Sequence, residues 1–328
     1  MGLSRSPQQA TDWKSVRITR DGEGGGDFPN IDSAFEYLAG VSFTPTVSDP
    51  FEIILGPGTH TKTNSSVTVL PTGTILRGSG PGATRLQGTN ASNPMFECGD
   101  AIISDLSFLN CSVAIERTSG SSLTRLENVF ATSIDTLYIA DGGVNIIQNC
   151  NITGGSTAAS FICNGGTIFA LLNVFFNAVP SNGTRVDVND GRFAMRNCVF
   201  DGSLSSNATA INVNSPSSAL VIECSSNDYI NMATPIVLED NTYTYFSQGE
   251  LIFGETTGVT VNGAGGTNSA DIHISDMTVD STNISLNGNE LALLTVNDHE
   301  TGNIRCQQDI ILKDKFSMLK TSRFRRGF

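Results

Sequence analysis

Charge, aromatic side chains and histidine are all scarce in this sequence. Charged residues make up 16% of the chain, against roughly 25% in typical soluble domains, and aromatic residues make up 7%. No apolar run has membrane-spanning length, and we expect no signal peptide. The three histidines are not at ligand spacing with cysteine or with one another, so neither a metal nor a cofactor is predicted. We interpret each as a surface or turn residue: His60, His273 and His299.

Cysteine is present, but not in a disulfide pattern. The seven cysteines are an odd number and form no Cys-x-x-Cys motif. Scaffolds held by disulfides are shorter and denser in cysteine. We therefore predict that most of these residues are buried free thiols, which fits a reducing compartment. They are Cys98, Cys111, Cys150, Cys163, Cys198, Cys224 and Cys306.

Negative charge dominates the chain. The net charge of −13 argues against nucleic acid as the main partner. The last 16 residues instead carry six basic residues and one acid. We expect this tail and the N-terminal arm to contact other structural proteins or copies of the same chain. The opening Met-Gly-Leu-Ser-Arg-Ser matches the N-myristoylation pattern and makes Gly2 a lipidation candidate. A membrane is an expected partner only if Gly2 is acylated.

A repeat runs through the chain with a period in the low twenties. Each copy has a short apolar run, one polar residue and a further apolar residue. The polar residues are spaced by 23, 21, 24, 24, 26 and 53 residues: Asp105, Asn128, Asn149, Asn173, Asn197, Glu223 and Asp276. This period is typical of one coil of a parallel β-helix, with three short strands and three corners. The last spacing corresponds to two coils, and the stretch from 225 to 270 indicates a larger insertion.

The recurring asparagine has a physical role in such a coil. It tolerates the left-handed backbone of a sharp corner, and its amide can bond to its equivalents in neighbouring coils. The residue that follows it is then predicted to point inward in a stacked column. The members of this column are Val129, Cys150, Val174, Cys198 and Cys224.

An amphipathic helix is predicted before the repeats. Its apolar face has the spacing i, i+3, i+4 and i+7 from Ile31, and Asn30 is a suitable N-cap. Because a solenoid must cover its open ends, we expect this helix to cap the first one. The predicted organisation is an N-terminal arm over 1–27, a single-stranded right-handed parallel β-helix over 28–299, and a basic tail over 300–328.

Three motifs near the start resemble the opening of pectinesterases and of many phage tailspike and adhesin β-helices. They are Gly25-Gly-Asp-Phe-Pro-Asn-Ile, Ile53-Ile-Leu-Gly-Pro-Gly-Thr and Ile75-Leu-Arg-Gly-Ser-Gly. The resemblance is to the pectin-lyase-like superfamily and covers roughly residues 24 to 280. It implies an all-β right-handed parallel β-helix. That scaffold hosts hydrolases, lyases, esterases and structural proteins, so it does not assign a function.

The pectinesterase catalytic motifs are incomplete in this chain. The family's Gln-Asp-Thr-Leu-Tyr is similar to Ile134-Asp-Thr-Leu-Tyr138, which makes Asp135 a weak catalytic candidate. The family's nucleophilic aspartate would fall at Ser160, and its Gly-Arg-Pro-Trp is absent. Glycosidases need two acids about the scissile bond. The pairs to consider are Asp135 with Asp141 and Asp187 with Asp190, although spacing does not show that either converges.

Three hypotheses follow from these features. The first is a non-catalytic structural or assembly protein, such as a capsid or appendage component, located in a virion or a cytoplasmic assembly. The second is a polysaccharide-active lyase, hydrolase or esterase whose acids the sequence does not locate. The third is a carbohydrate-binding adhesin that uses the one local aromatic cluster: Tyr229, Tyr243, Tyr245 and Phe246.

Overall fold

The computed structural model is an all-β right-handed parallel β-helix with one short α-helix. The chain divides into two units, residues 1–152 and 153–328. Side chains are described as far as residue 250. The structure describes residues 15–18, 28, 30–40, 45–46, 48–62, 68–89, 93–118, 123–154, 158–164, 168–177, 183–202, 208–214, 220–232, 235–238, 243–253, 257–262, 270–275, 278–279, 283–287, 291–297, 303–306 and 325–326. None of them forms a helix long and apolar enough to cross a bilayer.

The first unit contains the helix and the strands of the N-terminal coils. Two strands, β8 and β9, each run through a whole coil without a break. The elements are β1 (Ser15–Ile18), α1 (Ile31–Gly40), β2 (Phe51–Leu55), β3 (Gly58–Lys62), β4 (Thr68–Leu70), β5 (Thr74–Arg77), β6 (Thr84–Gly88), β7 (Phe96–Cys98), β8 (Ala101–Arg117), β9 (Leu123–Ala140), β10 (Val144–Gln148) and β11 (Asn151–Thr153).

These strands stack into three parallel sheets. Sheet A contains β1, β2, β5, the starts of β8 and β9, and β10. Sheet B contains β3, β6 and the middle parts of β8 and β9. Sheet C contains β4, β7 and the ends of β8 and β9. Alternate residues point inward, as at Phe51, Ile53 and Leu55, which are buried while their neighbours are not.

The corner between sheets A and B is built as the repeat predicts. Asp105, Asn128 and Asn149 have φ of 58°, 52° and 54°, in the left-handed region. The Asn128 amide donates to the Asp105 carboxylate at 2.7 Å, so the side chains form a ladder from coil to coil. The inward column after the corner is also confirmed here, because Val129 and Cys150 are buried.

The predicted capping helix is confirmed. The Ser33 backbone N–H donates to the Asn30 side chain at 2.8 Å, which is an N-cap bond. Ile31, Ala34 and Phe35 are buried, and the Phe35 ring lies 5.7 Å from that of Phe96, an interior residue of β7. The helix therefore packs on the apolar interior of the coils.

The second unit continues the same design. Its elements are β12 (Phe161–Cys163), β13 (Ile168–Leu172), β14 (Phe175–Asn177), β15 (Thr184–Val188), β16 (Arg192–Arg196), β17 (Val199–Asp201), β18 (Thr209–Val213), β19 (Leu220–Ser225), β20 (Asp228–Ile230), β21 (Ile236–Leu238), β22 (Tyr243–Gln248), β23 (Leu251–Phe253), β24 (Thr257–Asn262), β25 (Ala270–Ser275), β26 (Thr278–Val279), β27 (Asn283–Asn287), β28 (Leu291–Asn297), β29 (Asn303–Cys306) and β30 (Arg325–Arg326).

Three parallel sheets form again. Sheet A′ starts with β13, β16, β19 and β22, and sheet B′ with β14, β17 and β20. Sheet C′ starts with β12, β15, β18 and β21. Interior rings stack from coil to coil, with centroids 4.3 Å apart for Phe176 and Phe200 and 5.4 Å apart for Phe200 and Tyr229. Corner residues Asn173 and Asn197 have φ of 54° and 52°, as predicted.

The repeat predicted for the next coil is wrong at Glu223. Strand pairing sets Glu223 beside Ala194 and Cys224 beside Met195, so the corner residue equivalent to Asn197 is Ser226, with φ of 55°. Cys224 is buried, but in a different column from Cys198. The predicted insertion over 225–270 is also wrong for its described residues, because β20 to β25 continue the pairing pattern. Serine and glycine at the corners conceal the repeat in the sequence.

The parallel ladder extends beyond the predicted β-helix boundaries. Strand β1 lies within the predicted arm of residues 1–27 and pairs with β2. In the second unit, β29 and β30 lie within the predicted tail of residues 300–328, and β29 pairs with β27 and β30 with β29.

Candidate functional site on the outer face of sheet C

Two glutamates lie side by side on the outer face of sheet C. In β7 and at the end of β8 the alternation turns Phe96 and Ile115 inward and Glu97 and Glu116 outward. The strand register pairs Glu97 directly with Glu116. Neighbouring strands are about 4.8 Å apart, and like charges at paired positions repel. This pair is therefore held together by the fold at an electrostatic cost.

A third acid joins the pair from the next coil. Asp141 follows the last residue of β9, and its backbone N–H donates to the Arg117 carbonyl at 3.1 Å. Partial burial, then the charges of Asp141 and Glu97, raise the pKa of Glu116. Glu116 therefore holds its proton to a higher pH than an isolated glutamate. A carboxyl group that keeps its proton to higher pH is suited to act as a general acid.

The three acids do not form a metal centre. Among the described residues no group of three or more His, Cys, Asp or Glu side chains has a metal-binding arrangement. The face is instead a small acidic surface, which we call the acidic face and define as Glu97, Glu116 and Asp141. Its chemistry suits hydrogen bonds to hydroxyl or amino groups.

A buried ion pair supports the acidic face from inside. Arg117, next to Glu116 in β8, points inward and is fully buried. Its Nη2 donates to the Asp100 carboxylate at 2.8 Å, and its Nη1 donates to the Asn145 side chain at 3.0 Å. The Tyr138 hydroxyl also donates to Asn145, at 2.6 Å. Buried charges need such partners, and the network fixes the end of β8 and hence the position of Glu116.

The outer face of sheet C′ in the second unit is polar in a different way. Asp187 accepts a bond from the Asn212 amide at 3.4 Å, and Asn212 also donates to Asn214 at 2.7 Å. Asn189 donates to Asn164 and accepts from Asn214, both at 2.6 Å. Burial raises the pKa of Asp187, and the bond from Asn212 partly opposes this. The side-chain amides of successive coils therefore form a ladder in which they bond to one another.

Members of the two predicted carboxylate pairs have other hydrogen-bond partners in the structure. Asp135 lies at the corner between sheets B and C, where it accepts a bond from the Ser112 hydroxyl at 3.2 Å. The charge of Asp141 acts on Glu116, on the outer face of sheet C. In the second unit the partner of Asp187 is Asn212, whereas the Asp190 carboxylate accepts from the Gly191 backbone N–H at 2.7 Å.

Ser160, the position that matches the pectinesterase nucleophile, is buried beside a buried cation. It accepts a bond from Arg185 Nη1 at 3.1 Å, and Arg185 Nη2 donates to the Gly154 carbonyl at 2.9 Å. Burial lowers the pKa of Arg185 to about 10. These bonds tie sheet C′ to the chain that precedes it, which is a structural role.

Other candidates named from sequence have interior positions. His60 is a fully buried residue of β3 and bonds the Gly56 carbonyl at 2.9 Å, so its interpretation as a surface or turn residue is wrong. The proposed aromatic surface cluster is also wrong, because Tyr229 and Tyr245 are buried and, of the three members whose side chains are described, only Phe246 is exposed. The Tyr243 and His273 side chains, together with His299 and Gly2, lie outside the described part of the chain.

The predicted buried thiols are confirmed for every cysteine whose side chain is described. All six are free and buried. Burial raises the pKa of Cys98, Cys111 and Cys150 to about 12, so these groups are not nucleophiles at neutral pH.

Sequence reasoning missed a polar cluster inside the second unit. Glu250 and Asn227 follow the corner residues Gly249 and Ser226, in the column where Cys198 lies one coil earlier. Both are fully buried, and the Asn227 amide donates to Glu250 at 3.0 Å. Burial raises the pKa of Glu250 to about 8. The only sequence signal for this buried cluster is an acidic residue directly after a corner glycine. The same pattern is also typical of an exposed loop.

The described coils define a right-handed parallel β-helix, and a solved structure shares that fold. A PL6 family alginate lyase, AlyGC, has a TM-score of 0.54 at 12% identity over 95% of this chain and 51% of its own, so the present chain spans about half its length. The catalytic domain of a GH87 α-1,3-glucanase has a TM-score of 0.48 at 15% identity, over 93% of this chain and 60% of its own. ORF18 of Geobacillus virus E2 has a TM-score of 0.30 at 13% identity, over 79% and 59%.

At 12% identity the likeness to the alginate lyase is one of fold alone. No family model matches the chain. The comparison with curated proteins found no match either.

Proposed function

We propose that the protein is a non-catalytic structural or assembly component built on the β-helix. The observation that supports this is the use of its carboxylates. Among the described residues, most carboxylates with an identified hydrogen-bond or ion-pair partner stabilise a corner, a sheet or the core. In the first unit the pairs are Asp32 with Lys62, Glu52 with Arg77, Asp100 with Arg117, and Asp105 with Asn128. In the second they are Asp187 with Asn212, Glu223 with Arg192, and Glu250 with Asn227.

Within this class we propose a virion component. Six buried free thiols fit a chain that folds and is retained under reducing conditions, as a virion protein made inside a cell would be. Outward-facing large apolar side chains give such a protein surface for contacts with neighbours: Val69, Phe130, Ile168, Phe175 and Phe246.

The test is fractionation of native material on a density gradient, with the protein quantified by mass spectrometry. A structural component should sediment with a particle at a constant copy number and remain there after a wash at high salt. Recovery only as a free monomer, with no enrichment in any particle fraction, would contradict the proposal.

The acidic face supports a second candidate function, the recognition of a polysaccharide. Glu97, Glu116 and Asp141 lie on one outer surface, where their oxygens can accept bonds from sugar hydroxyl or amino groups. The negative charge of the three acids favours neutral or amino-sugar polymers over polyuronates, because uronate charges would be repelled.

Binding of the full chain to a panel of neutral, amino-sugar and uronate polymers tests this second candidate. The variant Glu116→Gln removes the central acid, and Glu127→Gln removes an acid on sheet A as a matched control. Loss of binding in the first variant alone would support the acidic face. No binding to any polymer, or equal binding by both variants, would remove this candidate.

A further inference from the structure

The outer face of sheet A in the first unit combines isoleucines with charged side chains. One outward column takes a residue in turn from β2, β5, β8, β9 and β10: Glu52, Ile75, Ile102, Arg125 and Ile146. The three isoleucines are half-buried, because only their inward neighbours are enclosed by the core. An apolar depression of about 50 Å³ opens beside Ile75 and Ile102. Partly exposed isoleucines in one column favour contact with a further apolar surface.

Arg125 is the charge in this column that its own chain does not neutralise. Its Nε atom is buried and has no hydrogen-bond partner, and the ion pairs of the described residues do not include it. The strand register sets Ile102 and Ile146 on either side of it. Glu52 lies three strands away, a distance of about 14 Å at the usual strand spacing, so it cannot reach Arg125 within the chain.

The order of the side chains makes the column complementary to itself. A twofold rotation about an axis parallel to the strands brings two copies of the face together with the order of the coils reversed. Strand β2 of one copy then faces β9 of the second copy, and β5 faces β8. Glu52 therefore lies opposite Arg125 of the second copy, twice by symmetry, and Ile75 lies opposite Ile102 between these pairs.

The neighbouring outward column fits the same arrangement. Arg77 faces Ser104 of the second copy and Ile54 faces Glu127, so no like charges meet. Moving one copy by one coil would instead set Arg77 against Arg77, and moving it by one coil the other way would set Arg125 against an isoleucine. The charges therefore select one alignment of the two copies.

We propose that the outer face of sheet A is a twofold dimer interface between two copies of this chain, in which Glu52–Arg125 ion pairs flank a centre of Ile75 and Ile102. Sheets that pack face to face lie about 10 Å apart, a gap that a glutamate and an arginine span together. The contact supplies Arg125 with an acceptor and covers the isoleucines. This interface rests on the proposed assembly role and identifies a second copy as one of its partners.

Analytical ultracentrifugation of the full chain tests the interface, because it measures the mass of the assembly at each concentration. The wild type should sediment as a dimer. Arg125→Glu sets like charges together at both ion-pair positions and should raise the dimer dissociation constant by roughly 100-fold or more. Arg125→Gln only removes the positive charge and should raise the constant by a smaller factor. The double variant Glu52→Arg/Arg125→Glu exchanges the charges and should restore the constant to within about tenfold of the wild type.

Arg85→Glu is the matched control, because Arg85 is exposed on the outer face of sheet B and undergoes the same change of charge. It should leave the dimer unchanged, and circular dichroism should show that all variants are folded. Three results would overturn the proposal: a wild type that is monomeric at every concentration, an assembly that Arg125→Glu does not weaken, and a double variant as weak as Arg125→Glu. A monomeric wild type that still sediments with a particle would remove this interface alone and leave the structural role.

Discussion

Glu250 makes the stability of the second unit depend on pH between about 4.5 and 8. The side chain is fully buried and its Oε1 accepts a bond from Asn227, while Oε2 has no hydrogen-bond partner. Burial raises its pKa to about 8 from an ordinary value of 4.5. Tyr229 and Tyr245, both fully buried, lie close enough to interact with its charge. An ionised Glu250 would therefore be a poorly compensated charge in the core.

The sign of the effect follows from proton binding. In the unfolded chain this carboxyl loses its proton near pH 4.5, whereas in the folded chain it keeps the proton to about pH 8. Between these values the folded state binds more protons, so the free energy of unfolding falls as the pH rises. The contribution is complete below pH 4.5 and is lost by pH 8. A pKa difference of about 3.5 corresponds to about 5 kcal/mol in all.

The variant Glu250→Gln isolates this contribution. Glutamine keeps an oxygen that can accept the bond from the Asn227 amide, but it cannot ionise. The free energy of unfolding of the variant should therefore not fall as the pH rises. Urea unfolding at pH 5, 7 and 8.5, followed by circular dichroism, should show similar midpoints at pH 5 and a clearly more stable variant at pH 8.5. Glu223→Gln, which removes an exposed carboxylate in the same unit, controls for net charge. Parallel pH profiles for the wild type and Glu250→Gln would refute the reasoning.

Three further predictions concern the first unit. Arg117→Met leaves Asp100 buried without its cation and should lower the free energy of unfolding by about 3–5 kcal/mol in a urea titration; a loss below 1 kcal/mol would contradict the role of this pair. Asn128→Ala removes the bond to Asp105 and strains an alanine at φ 52°, so we expect a loss of about 1–2 kcal/mol; Asn128→Gly, which relieves only the strain, should lose less. The Cys150 thiol, with its pKa raised to about 12 by burial, should resist iodoacetamide at pH 8 in the folded protein and react fully in urea, as mass spectrometry would show; rapid labelling of the folded protein would contradict the assignment.

Local signals are enough to predict the coil architecture. Asparagine tolerates the left-handed backbone, so its recurrence at Asn128, Asn149 and Asn197 is sufficient to locate the sharp corners. The capping helix can be predicted because Asn30 and the apolar spacing that follows are both local features. The error at Glu223 arises where serine replaces asparagine at the corner, so that only strand pairing identifies Ser226 as the equivalent residue.

The candidate site cannot be predicted in the same way. Glu97, Glu116 and Asp141 lie roughly one coil apart in sequence and meet only because parallel register stacks them. Spacing along the chain favours pairs of nearby acids, such as Asp135 with Asp141, although a β-helix brings together residues a full period apart. The burial of Glu250 is hard to predict from sequence for a related reason. One coil before Asn227, the equivalent position in the same stacked column is occupied by an apolar residue.

Turnover of polysaccharides tests the central claim, a non-catalytic scaffold, most directly. The purified full chain would be incubated at high concentration with neutral, amino-sugar, uronate and esterified polymers, and release of oligosaccharide or ester groups would be measured beside Glu116→Gln and Glu127→Gln. The account predicts no product from any polymer. Product formed by the wild type and by Glu127→Gln, but lost in Glu116→Gln, would contradict it and identify the acidic face as an active site.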